Sequence, residues 1–214
     1  MKTLIYKLNE SLLDDEEELV NDDNTVLIEQ FLKDNYEISG SYTIKNGVVD
    51  VIGKIKLSNK SLKHLTNNLF KFGTVKGKFI CASSDITSLE GAPDQVEYFS
   101  CRRCNNLLSL KYSPKYVSDT FACSNCPKLK NLEGAPVEVN NFYCYDCVSL
   151  SSLKGLPKKI SGDLECNGCP KLKIKEVEKY LPNIGGDLYC DSDINKQLNY
   201  KDFNFKVGGD IYSN

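Results

Sequence analysis

A pair of apolar or cysteine residues, separated by one position, recurs eight times along this chain. The second members of successive pairs lie 24, 20, 22, 21, 22, 24 and 23 residues apart, a spacing that chance would not maintain. The pairs are Ile55/Leu57, Phe79/Cys81, Phe99/Cys101, Phe121/Cys123, Phe142/Cys144, Leu164/Cys166, Leu188/Cys190 and Ile211/Ser213. Alternation within each pair predicts a strand with two side chains in a core. Because one unit buries little surface, the repeat predicts a stack of equivalent coils.

Each unit continues with a Leu-x-x-Leu step and a turn built from Gly and Pro. Residues 86–93 (Ile-Thr-Ser-Leu-Glu-Gly-Ala-Pro) and 129–136 (Leu-Lys-Asn-Leu-Glu-Gly-Ala-Pro) share this order. Gly and Pro punctuate regular structure, so the turn should carry the chain back across the far side of the coil. Strands of successive coils would then pair in parallel, about 4.8 Å apart, in one ribbon-like sheet.

This pattern resembles the leucine-rich-repeat superfamily, because Val96-x-x-Phe99-x-Cys101-x-x-Cys104 follows the L-x-x-L-x-L-x-x-N/C-x-L core. Leu107 departs from it by falling one residue late. Residues 49–53, 72–79 and 88–93 resemble, more narrowly, a short-repeat group frequent in tailed bacteriophages. The resemblance covers about residues 42–214. It implies a phage or prophage origin and a β-dominated α/β solenoid of right-handed coils with one curved parallel sheet.

The two ends of the chain should differ from the repeat. About eight coils would occupy residues 53–214, and residues 25–52 would cap them with a helix and a hairpin. Asn24 or Thr25 can start that helix, with Leu27, Ile28, Phe31 and Leu32 on its apolar face, and Asn46-Gly47 predicts the hairpin turn.

Residues 1–24 form an acidic leader with eight acidic residues and two lysines. Two interpretations of the leader are open: a docking or packaging signal, or a solvated tail. At the other end, the strand at Ile211 and Tyr212 is followed by no capping helix, and a bare solenoid end exposes unpaired backbone groups. We therefore expect a partner or a second copy to cover this edge.

Ten cysteines permit either a zinc site or a ladder of buried thiols. The pairs Cys101/Cys104, Cys123/Cys126, Cys144/Cys147 and Cys166/Cys169 satisfy the C-x-x-C spacing of zinc ribbons. Their separation, however, is also the length of one coil, and other coils place Leu57 with Lys60, or Cys81 with Ser84, at the same positions. Cysteine packs well as a small hydrophobic residue. The thiol ladder, with no metal, is therefore the preferred interpretation.

No catalytic constellation is evident. His64 is the single histidine and lies several coils from most cysteines, so no cysteine–histidine pair is suggested. Asp163, Asp187 and Asp210 recur after glycine and should form a column. Paired carboxylates can bind calcium or act as acid and base, but a solvated ladder explains this column more simply.

Strand residues that alternate with the inward pairs should lie on the open face of the sheet, where leucine-rich repeats generally bind partners. The N-terminal coils place Lys54, Lys56 and Lys78 there, whereas the C-terminal coils place tyrosines and acids. Tyrosine is enriched at interface hot spots, but it also favours strands that bind nothing. The predicted binding residues are Tyr98, Tyr143, Tyr145, Tyr189, Tyr212, Asp163, Asp187, Asp210, Glu165 and Arg102.

These observations predict a non-enzymatic protein–protein interaction module without a cofactor, and a zinc-stabilised regulatory or binding module is the alternative. The net charge is −2, and the basic residues are not gathered on one face, so nucleic acid is not an expected partner. The sequence shows neither a signal-peptide pattern nor an apolar span of membrane-crossing length. We therefore expect a cytoplasmic location, in the host cell or with the virion, and no membrane partner.

Overall fold

The computed structural model describes residues 24–198 and 204–213. They form a β-solenoid dominated by parallel strands with a few short helices, which confirms the predicted fold class. In chain order the elements are α1 (24–35), β1 (Tyr36–Lys45), β2 (Val48–Leu57), β3 (Lys71–Ile80), β4 (Gln95–Ser100), β5 (Tyr116–Ala122), β6 (Glu138–Val139), β7 (Asn141–Tyr143), β8 (Lys159–Ile160), β9 (Leu164–Glu165), α2 (Ile174–Tyr180), β10 (Leu188–Cys190), α3 (Ser192–Leu198) and β11 (Ile211–Ser213). Within the described part of the chain, no helix has both the length and the apolar composition needed to cross a membrane.

One sheet runs the length of the solenoid in the order β1-β2-β3-β4-β5-β7-β9-β10-β11. The β1–β2 pair is antiparallel, and each later pair is parallel. The described strands β2 to β11 of this sheet are therefore joined by seven turns of chain. A second, two-stranded sheet pairs β6 with β8, the strands that precede β7 and β9 in their coils.

The inward positions form continuous columns because equivalent residues are paired in register. Phe79, Phe99, Phe121 and Phe142 are fully buried, and their rings stack at centroid separations of 5.4–5.6 Å with interplanar angles of 8–14°. The Leu-x-x-Leu residues on the return side are buried as well; they are Ile86, Leu89, Leu107, Leu110, Leu129, Leu132, Leu150 and Leu153. The hydrophobic core is therefore one continuous rod that extends from Ile28 in α1 to Leu198 in α3.

A residue with left-handed backbone makes the corner inside each C-x-x-C step. It is Arg103 (φ 57°), Asn125 (φ 59°), Asp146 (φ 55°) and Gly168 (φ 68°) in successive coils, and Ser83 (φ 55°) in the coil before them. The corner turns both sulfur atoms of a pair into the core, and all ten cysteines are accordingly buried. The C-x-x-C spacing thus follows from the geometry of a tight turn.

The N-terminal cap matches the prediction with one correction. The Asn46-Gly47 turn joins β1 and β2, whose register pairs Tyr36 with Leu57, and β2 continues without a break through residues 52 and 53. In α1, Ile28 and Leu32 are buried, but Leu27 is 54% exposed, so its placement on the apolar face was wrong. Four residues share one helical face only if the arc is wide, and α1 packs along a narrow stripe. The leader proposed for residues 1–24 lies outside the described residues except for Asn24.

The last strand also departs from the prediction. The register Leu188↔Ile211 and Cys190↔Ser213 extends both inward columns, yet Ile211 is half-buried and Ser213 is exposed. No described residue pairs with β11 on its far side. The last pair is consequently aligned with the core without being buried in it.

Candidate functional site on the open face of the C-terminal coils

The open face consists of three columns of side chains, defined by position relative to the inward pair. The first column precedes the pair: Lys54, Lys78, Tyr98, Thr120, Asn141, Asp163, Asp187 and Asp210. The middle column lies between the two inward residues: Lys56, Ile80, Ser100, Ala122, Tyr143, Glu165, Tyr189 and Tyr212. The third follows the pair: Ala82, Arg102, Ser124, Tyr145, Asn167 and Asp191. All ten predicted binding residues belong to these columns, and the charge changes from basic to acidic along them.

Four of the predicted residues are consecutive neighbours in the middle column. Register pairs Tyr143 with Glu165, Glu165 with Tyr189, and Tyr189 with Tyr212. The rings of Tyr189 and Tyr212 stack at 4.9 Å with an interplanar angle of 20°. These side chains therefore form one continuous aromatic and acidic strip.

Negative charge surrounds the phenols of this strip. Partial burial raises the pKa of Tyr143, and the negative charges of Glu165 and Asp163 raise it further. The carboxylates of Asp210 and Asp187 raise the pKa of Tyr212. Both phenols therefore remain protonated at neutral pH and keep their O–H groups as donors.

The aspartate column has a structural role that the sequence did not reveal. Asp163 Oδ1 accepts a hydrogen bond from the backbone N of Asp187 at 2.8 Å, and Asp187 Oδ1 accepts one from Asp210 N at 2.8 Å. Asn141 Oδ1 accepts the equivalent bond from Asp163 N at 2.9 Å. The aspartates form the expected column, and one oxygen each of Asn141, Asp163 and Asp187 also fastens the next coil.

Arg102 and Tyr145 meet across an intervening coil. The register of the third column runs Arg102, Ser124, Tyr145, yet the guanidinium carbon of Arg102 lies 5.1 Å from the centre of the Tyr145 ring. Ser124, in the coil between them, is fully buried, and its hydroxyl has no hydrogen-bond partner among the described residues. Small side chains at Thr120 and Ala122 are buried on the same face. This cluster of small buried side chains was missed, although the run of small residues at outward positions could have signalled it.

Glu165 is the acidic residue of the strip. No described side chain or backbone N–H donates a hydrogen bond to its carboxylate. Its neighbours in the column are Tyr143 and Tyr189, and it is about half-buried. Desolvation raises the pKa of this carboxyl, the positive charge of Arg102 opposes the shift, and the charge of Asp163 adds to it. A carboxylate that is partly removed from water without a hydrogen bond is a favourable site for an incoming donor.

Tyr98 lies apart from the strip. It occupies the first column, where the Lys78 ammonium lies 5.4 Å from its ring centre. Tyr98 therefore contacts the basic N-terminal half of the open face, through Lys78. The structure brings Tyr143, Glu165, Tyr189 and Tyr212 together, places Arg102 with Tyr145 beside them, and leaves Tyr98 at the margin.

The second cysteine of each pair directs its thiol at a backbone carbonyl of the preceding coil. The Sγ···O distances are 3.4 Å from Cys104 to Cys81, 3.3 Å from Cys126 to Cys101, 3.4 Å from Cys147 to Cys123 and 3.4 Å from Cys169 to Cys144. In the described residues, no group of three or more His, Cys, Asp or Glu side chains is arranged to hold a metal ion. The repeated spacing therefore has a structural role: each of these thiols joins its coil to the one before.

Comparisons with protein-family models, with curated proteins and with solved structures give no match to this chain.

Proposed function

We propose that the protein is a leucine-rich-repeat interaction module that binds another protein on the open face of its C-terminal coils and does not act as an enzyme. The observation that carries the proposal is the continuous strip of Tyr143, Glu165, Tyr189 and Tyr212 on the main sheet. Tyrosines held by a sheet provide large contact area at a low entropic cost, and such residues dominate many interfaces.

The resemblance to repeats of tailed bacteriophages supports a further part of the proposal. The protein would be encoded by a phage or prophage and would act in the host cytoplasm or with the virion. Partner capture should accordingly use infected cells, with the full chain as bait.

Replacement of Tyr143, Tyr145 and Tyr189 by alanine should lower the recovery of a specific partner by at least about tenfold, because hot-spot aromatics each contribute about 2 kcal/mol or more. The measurement is quantitative mass spectrometry of proteins retained by the purified bait. Far-UV circular dichroism and the thermal midpoint should stay close to those of the parent chain, since these tyrosines lie outside the core.

A matched control replaces three exposed tyrosines outside the open-face columns, Tyr42, Tyr112 and Tyr116, by alanine. This variant should retain the partner in full. Undiminished recovery by the Tyr143/Tyr145/Tyr189 variant, or equal loss in both variants, would overturn the proposed binding face.

A further inference from the structure

The chemistry of the strip selects one class of side chain. From Asn141 onward, the described open-face positions carry five carboxylates and no lysine or arginine; the acids are Asp163, Glu165, Asp187, Asp191 and Asp210. Two phenol rings adjoin one of these carboxylates in the same column. An aromatic ring attracts a cation through its quadrupole, and a carboxylate attracts it through its charge.

Most of these acids are already engaged within the chain. Asp191 accepts the backbone N–H of Gly168 at 2.6 Å and that of Cys169 at 3.2 Å, one with each oxygen. Asp163 and Asp187 each use Oδ1 for the following coil. Glu165 makes no hydrogen bond or ion pair through its carboxylate with any described residue, so it is the acid best placed to receive a partner's donor.

Arg102 supplies an internal example of a cation on this surface. Its guanidinium extends over the Ser124 coil to the Tyr145 ring, at 5.1 Å, and is close enough to Glu165 for its charge to affect that carboxyl. The Arg102 guanidinium and the Glu165 carboxylate nevertheless form no salt bridge, since they are too far apart. Beneath it, the Ser124 hydroxyl is buried and unpaired. The chain therefore holds a cation beside this site, but that cation does not pair with the Glu165 carboxylate.

We infer that the Tyr143–Glu165–Tyr189 cluster binds a lysine or arginine side chain carried by an extended basic segment of a partner protein. The aliphatic stem of the residue would lie against the two rings, and its charged end would donate to Glu165. Arg102 would compete with the incoming side chain for this acidic surface. The inference rests on the proposed function and specifies the chemistry of the partner.

The first test titrates the purified full chain with a synthetic peptide of alternating lysine and threonine, by isothermal titration calorimetry. A peptide with glutamine at each lysine position is the reference. The parent chain should bind the basic peptide and not the glutamine peptide. Glu165→Gln keeps the shape of the side chain and should weaken binding by about tenfold or more, because it removes a partly desolvated charge.

Glu138→Gln is the matched control for this substitution. It makes the same change in net charge at an exposed glutamate of β6, which pairs with Lys159 at 3.6 Å and lies outside the main sheet. Its affinity should stay within about twofold of the parent value. Equal weakening by Glu138→Gln and Glu165→Gln would mean that only the overall charge matters and would overturn the inference.

Arg102→Gln provides a test in the opposite direction. Removal of the competing guanidinium should strengthen binding of the basic peptide severalfold. Arg103→Gln, an exposed neighbour with the same charge change, should leave the affinity unchanged. Weaker binding after Arg102→Gln, or equal strengthening in both variants, would contradict the role assigned to this surface.

The peptide titration and the partner capture fail in distinguishable ways. Absence of binding up to about 1 mM basic peptide, together with capture that depends on the tyrosines, would overturn the basic-segment inference and leave the binding face standing. Equal binding of the glutamine peptide would overturn it as well. Loss of tyrosine dependence in the capture experiment would instead overturn the proposed function.

Discussion

Phe121→Ala should lower the free energy of unfolding by about 3–5 kcal/mol. Phe121 is fully buried in the middle of the phenylalanine column, and its ring stacks on Phe99 and on Phe142 at 5.4 Å. The substitution removes both ring contacts and leaves a cavity between coils that cannot approach more closely, since their strands are already hydrogen-bonded. Urea unfolding followed by circular dichroism measures the loss.

The control for this prediction is Tyr116→Ala, which removes an aromatic ring from the same strand. Tyr116 is 66% exposed, so its loss should change the free energy of unfolding by no more than about 0.5 kcal/mol. A loss below about 1 kcal/mol for Phe121→Ala would contradict a core of stacked rings.

Gly77→Ala should destabilise the fold by about 3 kcal/mol or more. Gly77 has φ of 138°, a conformation that residues with a Cβ atom rarely adopt, and a Cβ there would lie 2.0 Å from the carbonyl oxygen of Gly53. The obstacle is the backbone of the paired strand, which cannot rotate away as a side chain would. The thermal midpoint and urea unfolding should both report the loss.

Lys76→Ala is the neighbouring control, because Lys76 is exposed on the same strand. Its free energy of unfolding should stay within about 0.5 kcal/mol of the parent value. Parent-like stability of Gly77→Ala would show that β2 and β3 are not paired in the register Gly53↔Gly77.

The inward columns were predictable because their signal is local and repeated. Alternation places Phe99 and Cys101 on one side of a strand, and the recurrence of the pair at about one coil length aligns successive strands without knowledge of their contacts. The hairpin at Asn46-Gly47 was equally local, since the two residues have the positive φ that a tight two-residue turn requires.

The contacts of the candidate site were not predictable in the same way. Alternation assigned Asp163 and Asp187 to the open face, but the bonds from their Oδ1 atoms to the next coil depend on the register and height of neighbouring strands. The reach of Arg102 over Ser124 to Tyr145 depends on a rotamer and on the small side chain between them. Sequence patterns identify which face a residue occupies, whereas such pairings are decided by packing.

The end of the stack shows the same limit. Ser213 follows the repeat in sequence and pairs with Cys190 in register, yet it is exposed because no described strand lies beyond it. Burial in a solenoid is supplied by both neighbouring coils. The last described unit can therefore keep the sequence pattern of the repeat although its inward residues are not buried. That a partner or a second copy covers this edge stays a prediction.

The thiols report directly on whether the repeat stacks coils around a shared core. Burial raises the pKa of Cys104 to about 11 and the pKa values of Cys169 and Cys190 to about 12. A hydrogen bond with the Cys101 thiol lowers the pKa of Cys126, but that side chain is fully buried as well. Since only an accessible thiolate reacts, the folded chain should protect its cysteines.

The decisive measurement is thiol labelling of the purified protein, first folded and then in denaturant, with a zinc indicator present throughout. We expect negligible labelling of the folded protein, ten reactive thiols after unfolding and no stoichiometric release of zinc. Rapid labelling of several cysteines in the folded protein, or release of one or more zinc ions per chain as the thiols react, would contradict this expectation.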